Sequence, residues 1–118
     1  MAATALNLTI EQGATFSQVV NLGTTYTGLT PTAMLRRSFG SGSGGGDLIA
    51  SFSCTAVDGS GNTTVSLTAT VTAALQAIGA LPSEREAVLG VWDMETINAG
   101  VVVRHRQGKV ILSREATF

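Results

Sequence analysis

Few side chains in this sequence could do chemistry. The single histidine, His105, lies between Arg104 and Arg106. An imidazole can act as a general base or a metal ligand. With one histidine and one cysteine, Cys54, a zinc site of the usual ligand types cannot be assembled. No serine sits in a nucleophile-elbow pattern that would call for a partner base. His105 is therefore expected to be a surface or interface residue. Asp93 and Glu95 are two apart, so on a strand they share one face. Paired carboxylates can do acid–base work. They can equally meet Arg104 or Arg106 across a hairpin, and that is the preferred reading. Gly40, Gly42 and Gly45 formally spell G-x-G-x-x-G, which binds dinucleotides only between a strand and a helix. The next segment, Leu48-Ile49-Ala50-Ser51-Phe52-Ser53-Cys54, alternates as a strand does, and no GK[ST] ending is present. Residues 40–47 read as a flexible Gly/Ser hairpin loop. No catalytic residue, cofactor or metal is expected. The candidate contact residues are Arg36, Arg37, Arg85, Arg104, His105, Arg106 and Arg114, because arginines beside carboxylates suit a specific protein interface.

The elements that must position these residues read as strands. In Val88-Leu89-Gly90-Val91-Trp92-Asp93-Met94-Glu95, alternation puts Val88, Gly90, Trp92 and Met94 on the core face. Trp92, the only tryptophan, is the candidate core anchor. Asn98-Ala99-Gly100 can reverse the chain. Val101-Val102-Val103-Arg104-His105-Arg106 is β-branched and then basic, which favours a strand. Gln107-Gly108 is expected to turn again, leaving a last strand around Val110 and Leu112.

Upstream, residues 6–11 alternate cleanly. Residues 12–14 are a turn, and residues 16–22 form a strand with room for a bulge. Residues 23–31 are a polar loop, followed by a strand over 33–37. Residues 58–62 make a hairpin turn before a strand over 63–69. The Ala/Leu content of residues 70–78 suggests a short helix, capped by Thr70 or Thr72, with Leu75 and Ile78 on one face. Residues 81–86 are a polar loop. About eight short strands and one short helix predict a single all-β domain over 1–118, an antiparallel β-sandwich, Ig-like or a small barrel.

The composition narrows the function classes. Hydrophobic residues make up 44% and charged residues 13%, with mean hydropathy +0.31. So little charge hints that other subunits cover part of the surface. A net charge of −1 gives no basic face for nucleic acid. The opening has no basic-then-apolar pattern of a signal peptide. No apolar run approaches the ~20 residues that span a bilayer.

Five segments in order carry a resemblance. They are Leu8-Thr9-Ile10-Glu11-Gln12-Gly13-Ala14-Thr15-Phe16, Tyr26-Thr27-Gly28-Leu29-Thr30-Pro31-Thr32-Ala33-Met34-Leu35-Arg36, and Val65-Ser66-Leu67-Thr68 followed by Thr72 to Leu75. The others are Val91-Trp92-Asp93-Met94-Glu95 and Gly108-Lys109-Val110-Ile111-Leu112-Ser113-Arg114-Glu115-Ala116-Thr117. The set resembles small tailed-bacteriophage structural proteins, and is similar to the N-terminal β-sandwich of baseplate upper proteins and tail-fibre attachment modules. Trp92 stands where those proteins carry Tyr, and the sequence ends at Phe118 where longer ones continue. The resemblance implies a non-enzymatic virion protein, assembled in the host bacterial cytoplasm as a homo-oligomer. It implies a stand-alone tail, neck or baseplate adaptor or fibre-docking module that contacts other virion proteins, with no nucleic acid or membrane partner. A capsid decoration (cement) protein is the alternative. A small ligand-binding or hydrolytic barrel using Asp93, Glu95 and His105 is the remote one.

Overall fold

In a computed structural model, residues 4–37, 48–76 and 83–114 are described. The dominant element is a long hairpin, β7 (Glu86–Asn98) and β8 (Val101–Ser113). Its turn is Ala99-Gly100, with φ of 51° and 82°, and Asn98 pairs with Val101. Two successive left-handed residues make the two-residue turn whose twist matches the strands it joins. At about 3.3 Å per residue, each strand of the hairpin is nearly as long as the 46 Å longest extent of the molecule.

The other strands add to both sides of this hairpin. β1 (Thr4–Ala5) and β2 (Leu8–Glu11) pair with β8, both in parallel. β4 (Thr32–Arg36) pairs antiparallel with β7. The sheet continues antiparallel through β5 (Leu48–Cys54), β6 (Asn62–Leu67) and β3 (Phe16–Asn21). The first part of β5 pairs with β4, while Ser53 and Cys54 pair with β6. By changing neighbours along its length, β5 carries the sheet round a corner. The result is a mostly-β chain whose mixed sheet curls into a half-barrel. The expected antiparallel sandwich is thus replaced by a mixed sheet. Alternation reports which face of a strand is buried, not the direction of its neighbour.

Four local expectations are also corrected. β8 runs unbroken through Gln107 and Gly108. A Cβ at Gly108 would collide with the Leu6 carbonyl, so this glycine marks a close backbone approach, not a turn. Leu89 is an extra residue between the pairs Val88–Ile111 and Gly90–Val110. This bulge turns Val88 outward and buries Leu89. The helix, α1, is Ala69–Ala73, and its N-cap is Thr68, whose hydroxyl accepts from Val71 N–H. The helix stops before the expected end: Ala74 is its C-cap, and residues 77 and 78 lie outside the described residues, as does the 40–47 loop. β3 pairs with β6 in unbroken register, without the bulge its pattern allowed.

The core fills the concave side. Phe16, Phe52 and Trp92 pack in series, the first pair tilted and the second edge to face, with ring centroids 5.8 and 5.9 Å apart. Trp92 is buried and donates its Nε1–H to the Leu6 carbonyl at 2.8 Å. α1 closes the side between the edge strands β2 and β3. The Thr72 hydroxyl donates to the Ala14 carbonyl at 2.8 Å and accepts from Gly13 N–H at 3.1 Å. Gln12 Nε2 donates to the Leu75 carbonyl at 3.0 Å.

Candidate functional site

The chemistry-bearing residues fall on the β7–β8 hairpin, at the point where its neighbours end. β4 accompanies β7 only as far as Glu95, and β1 accompanies β8 only as far as Arg106. Beyond them, among the described residues, the hairpin is a two-stranded arm. On its outer face Ile97 and Val102 lie opposite each other, 60% and 55% exposed, and Val101 beside the turn is 63% exposed. Val101 pairs with Asn98 and so points to the other face, and the described residues leave these three β-branched side chains at the tip uncovered.

A second bulge sits at the root of the arm. Met94 pairs with Arg106 and Glu95 with Arg104, so His105 is the extra residue. The bulge sends the two flanking arginines to different faces. Arg104 stays outside with the carboxylates: its Nη2 donates to Glu95 Oε2 at 3.0 Å, and its Nε lies 3.7 Å from Asp93 Oδ2. Arg106 shares the inner face with Met94 and donates from Nη2 to the Asn21 carbonyl at 2.6 Å. That bond crosses to the last residue of β3, on the opposite edge of the sheet.

His105 is 7% exposed, a buried residue and not the surface residue expected. Its Nε2 is 2.8 Å from Thr96 Oγ1, and its ring meets Tyr26 edge to face at 4.4 Å. Burial first, and the Arg106 charge second, hold its imidazole pKa below the ordinary value. Asp93 shows the reverse. Burial and the neighbouring Glu95 carboxylate raise its pKa, against the smaller pull of Arg104 and Arg36.

The remaining arginines are spread along the molecule. Arg36 lies on β4 near Asp93, and Arg37 is exposed just after that strand. Arg85 and Arg114 lie at the opposite end of the hairpin, where Arg114 Nη1 donates to the Glu84 carbonyl at 3.0 Å. Ten residues of extended strand, about 33 Å, separate Arg104 from Arg114, so these side chains do not form one patch. The acid–base reading of Asp93 and Glu95 finds no support in this geometry, because both carboxylates face Arg104. Cys54 is partly buried and packs against the core, and burial raises its thiol pKa to about 11. Among the described residues no three potential ligands group into a metal site, and no helix is long and apolar enough to cross a membrane.

The sequence had pointed to the basic stretch at 104–106 and overlooked Ile97, Val101 and Val102. Val101 and Val102 were read only as the start of a strand. The signal that marks them as an arm is the length of the hairpin relative to the strands beside it, which alternation does not carry. No family model matches the chain, and no curated protein matches it.

Proposed function

We propose that this chain is a non-enzymatic assembly module that binds other proteins through the β7–β8 arm. The observation that carries this reading is the apolar tip, where Ile97, Val101 and Val102 are more than half exposed on a ribbon with no neighbouring strand among the described residues. A partner that covers them removes apolar surface worth about 25 cal/mol per Å². The resemblance of the five ordered segments supports a role in a tailed-bacteriophage virion, as a tail, neck or baseplate adaptor or fibre-docking module.

The test is immunogold electron microscopy of purified phage particles with antibody to the recombinant chain, alongside mass spectrometry of the same particles. Gold on the tail, neck or baseplate supports the adaptor. Gold over the capsid replaces it with the decoration-protein reading. Absence by both methods overturns the virion assignment.

A further inference from the structure

The structure assigns His105 the part of a pH-sensitive latch that fastens the projecting hairpin arm to the body of the half-barrel. The inference concerns the attachment of the arm and does not depend on what the arm binds.

The root of the arm is held by a small set of contacts that converge on one bulge. Across the hairpin, His105 Nε2 meets Thr96 Oγ1 at 2.8 Å in a buried bond. Toward the body, the His105 ring packs against Tyr26, in the 3-10 turn Thr24–Tyr26. The next residue, Arg106, donates from Nη1 to the His105 carbonyl at 2.8 Å and from Nη2 to the Asn21 carbonyl at 2.6 Å. An imidazole at this position thus ties β7, β8 and the 3-10 turn together, and its neighbour ties in β3. A neutral ring can donate or accept in the bond to Thr96, whereas a protonated ring can only donate. A protonated ring would add a cation to a buried site beside a guanidinium.

Among the described residues, the charges facing this site give that cation no carboxylate partner. Arg106 contributes a like charge from the same strand. Glu95 on β7 lies on the outer face and is engaged by Arg104, with Asp93 beside it. Asp58 borders the 3-10 turn, where the Thr27 hydroxyl donates to its carbonyl, but its carboxylate accepts from Ser60 and Asn62 N–H. Tyr26 meets the imidazole edge to face.

The sign follows from linkage. Because the folded arm holds the imidazole below its free pKa, the open arm binds the proton more readily. The closed arm keeps its full stability above the free imidazole value of about 6.5. It loses stability as pH falls through that value toward the folded pKa. At about pH 5 the opening equilibrium can rise by at most about 30-fold, the bound for an imidazole that stays neutral while the arm is closed.

Hydrogen exchange of the full chain at about pH 7.5 and about pH 5, corrected for intrinsic rates, tests the latch. Acidification is expected to raise opening severalfold at residues 96–105 and in the 3-10 turn, with little change in β5 and β6. His105→Phe is expected to abolish that pH response, and Asp93→Asn to keep it. Should His105→Phe fail to fold, the imidazole ring signals of the wild-type chain are followed by NMR, and a midpoint below about 6.5 is expected. Arm protection unchanged by acidification, the same response in His105→Phe, or an imidazole titrating above its free value would each overturn the latch.

Discussion

Trp92 joins two jobs in one side chain: it fills the core beside Phe52 and its indole N–H satisfies the Leu6 carbonyl. Trp92→Phe keeps an aromatic ring in the core but removes the donor to that carbonyl. It is expected to cost about 1–3 kcal/mol in chemical denaturation. Trp92→Ala, which also opens a cavity, is expected to cost about 3–5 kcal/mol. Asp93 is the residue whose apparent salt bridge misleads. Its raised pKa means that the native state holds the ionised carboxylate less readily than the unfolded chain does. It therefore costs stability above its folded pKa, and the cost is relieved as pH falls through that value. Glu95 keeps Arg104 occupied in its absence. Asp93→Asn is thus expected to leave thermal stability at neutral pH unchanged or slightly raised, within about 1 kcal/mol. With its thiol pKa near 11, Cys54 carries little thiolate at neutral pH. Alkylation by iodoacetamide is expected to be markedly slower in the folded chain than in denaturant, as followed by mass spectrometry. Residue identity made Trp92 legible as an anchor from sequence, but the hydrogen bond to Leu6 was not, because it joins positions 86 residues apart.

Among the elements, the strands whose faces alternate cleanly were readable, and the errors collect at glycines and bulges. Asn98-Ala99-Gly100 and Gln107-Gly108 look alike as breakers. One reverses the chain with two positive φ angles, while the other stays extended under the Leu6 backbone. The difference lies in a partner strand that local sequence does not display. Gly108→Ala tests this, because its new Cβ meets backbone that cannot swing aside. The substitution is expected to destabilise the fold by about 2 kcal/mol or more. It should loosen β1 and β2 first, which hydrogen exchange at Leu8 and Ile10 would register. The two bulges were equally hidden. Each moves one residue across the sheet, turning Val88 out and His105 in, and no propensity marks either position. The whole arrangement of the candidate site, with Arg104 outside and Arg106 inside, follows from the second of them.

For the whole molecule, the β-rich class was legible because it depends on composition and short alternating segments. The mixed sheet and the arm were not, since both depend on which strands become neighbours and where those neighbours stop. If the arm carries binding, exposed tip residues should matter to assembly and little to folding. Ile97→Ser with Val102→Ser is expected to shift stability by no more than about 0.5 kcal/mol per site, while sharply reducing incorporation into particles in a complementation assay scored by mass spectrometry. Normal incorporation would remove the tip from the interface.

The parallel pairing of β2 with β8 also governs when the fold can be completed. Leu8 meets Val110, and Ile10 meets Leu112, so this seam closes a loop of about a hundred residues. At about 5–20 residues per second on the ribosome, β2 waits roughly 5–20 s for the strand it joins. During that interval the hydrophobic faces of Leu8 and Ile10 have no native cover from β8. Late, long-range closure of this kind predicts refolding on the millisecond-to-second scale, with β1 and β2 the last strands to gain protection.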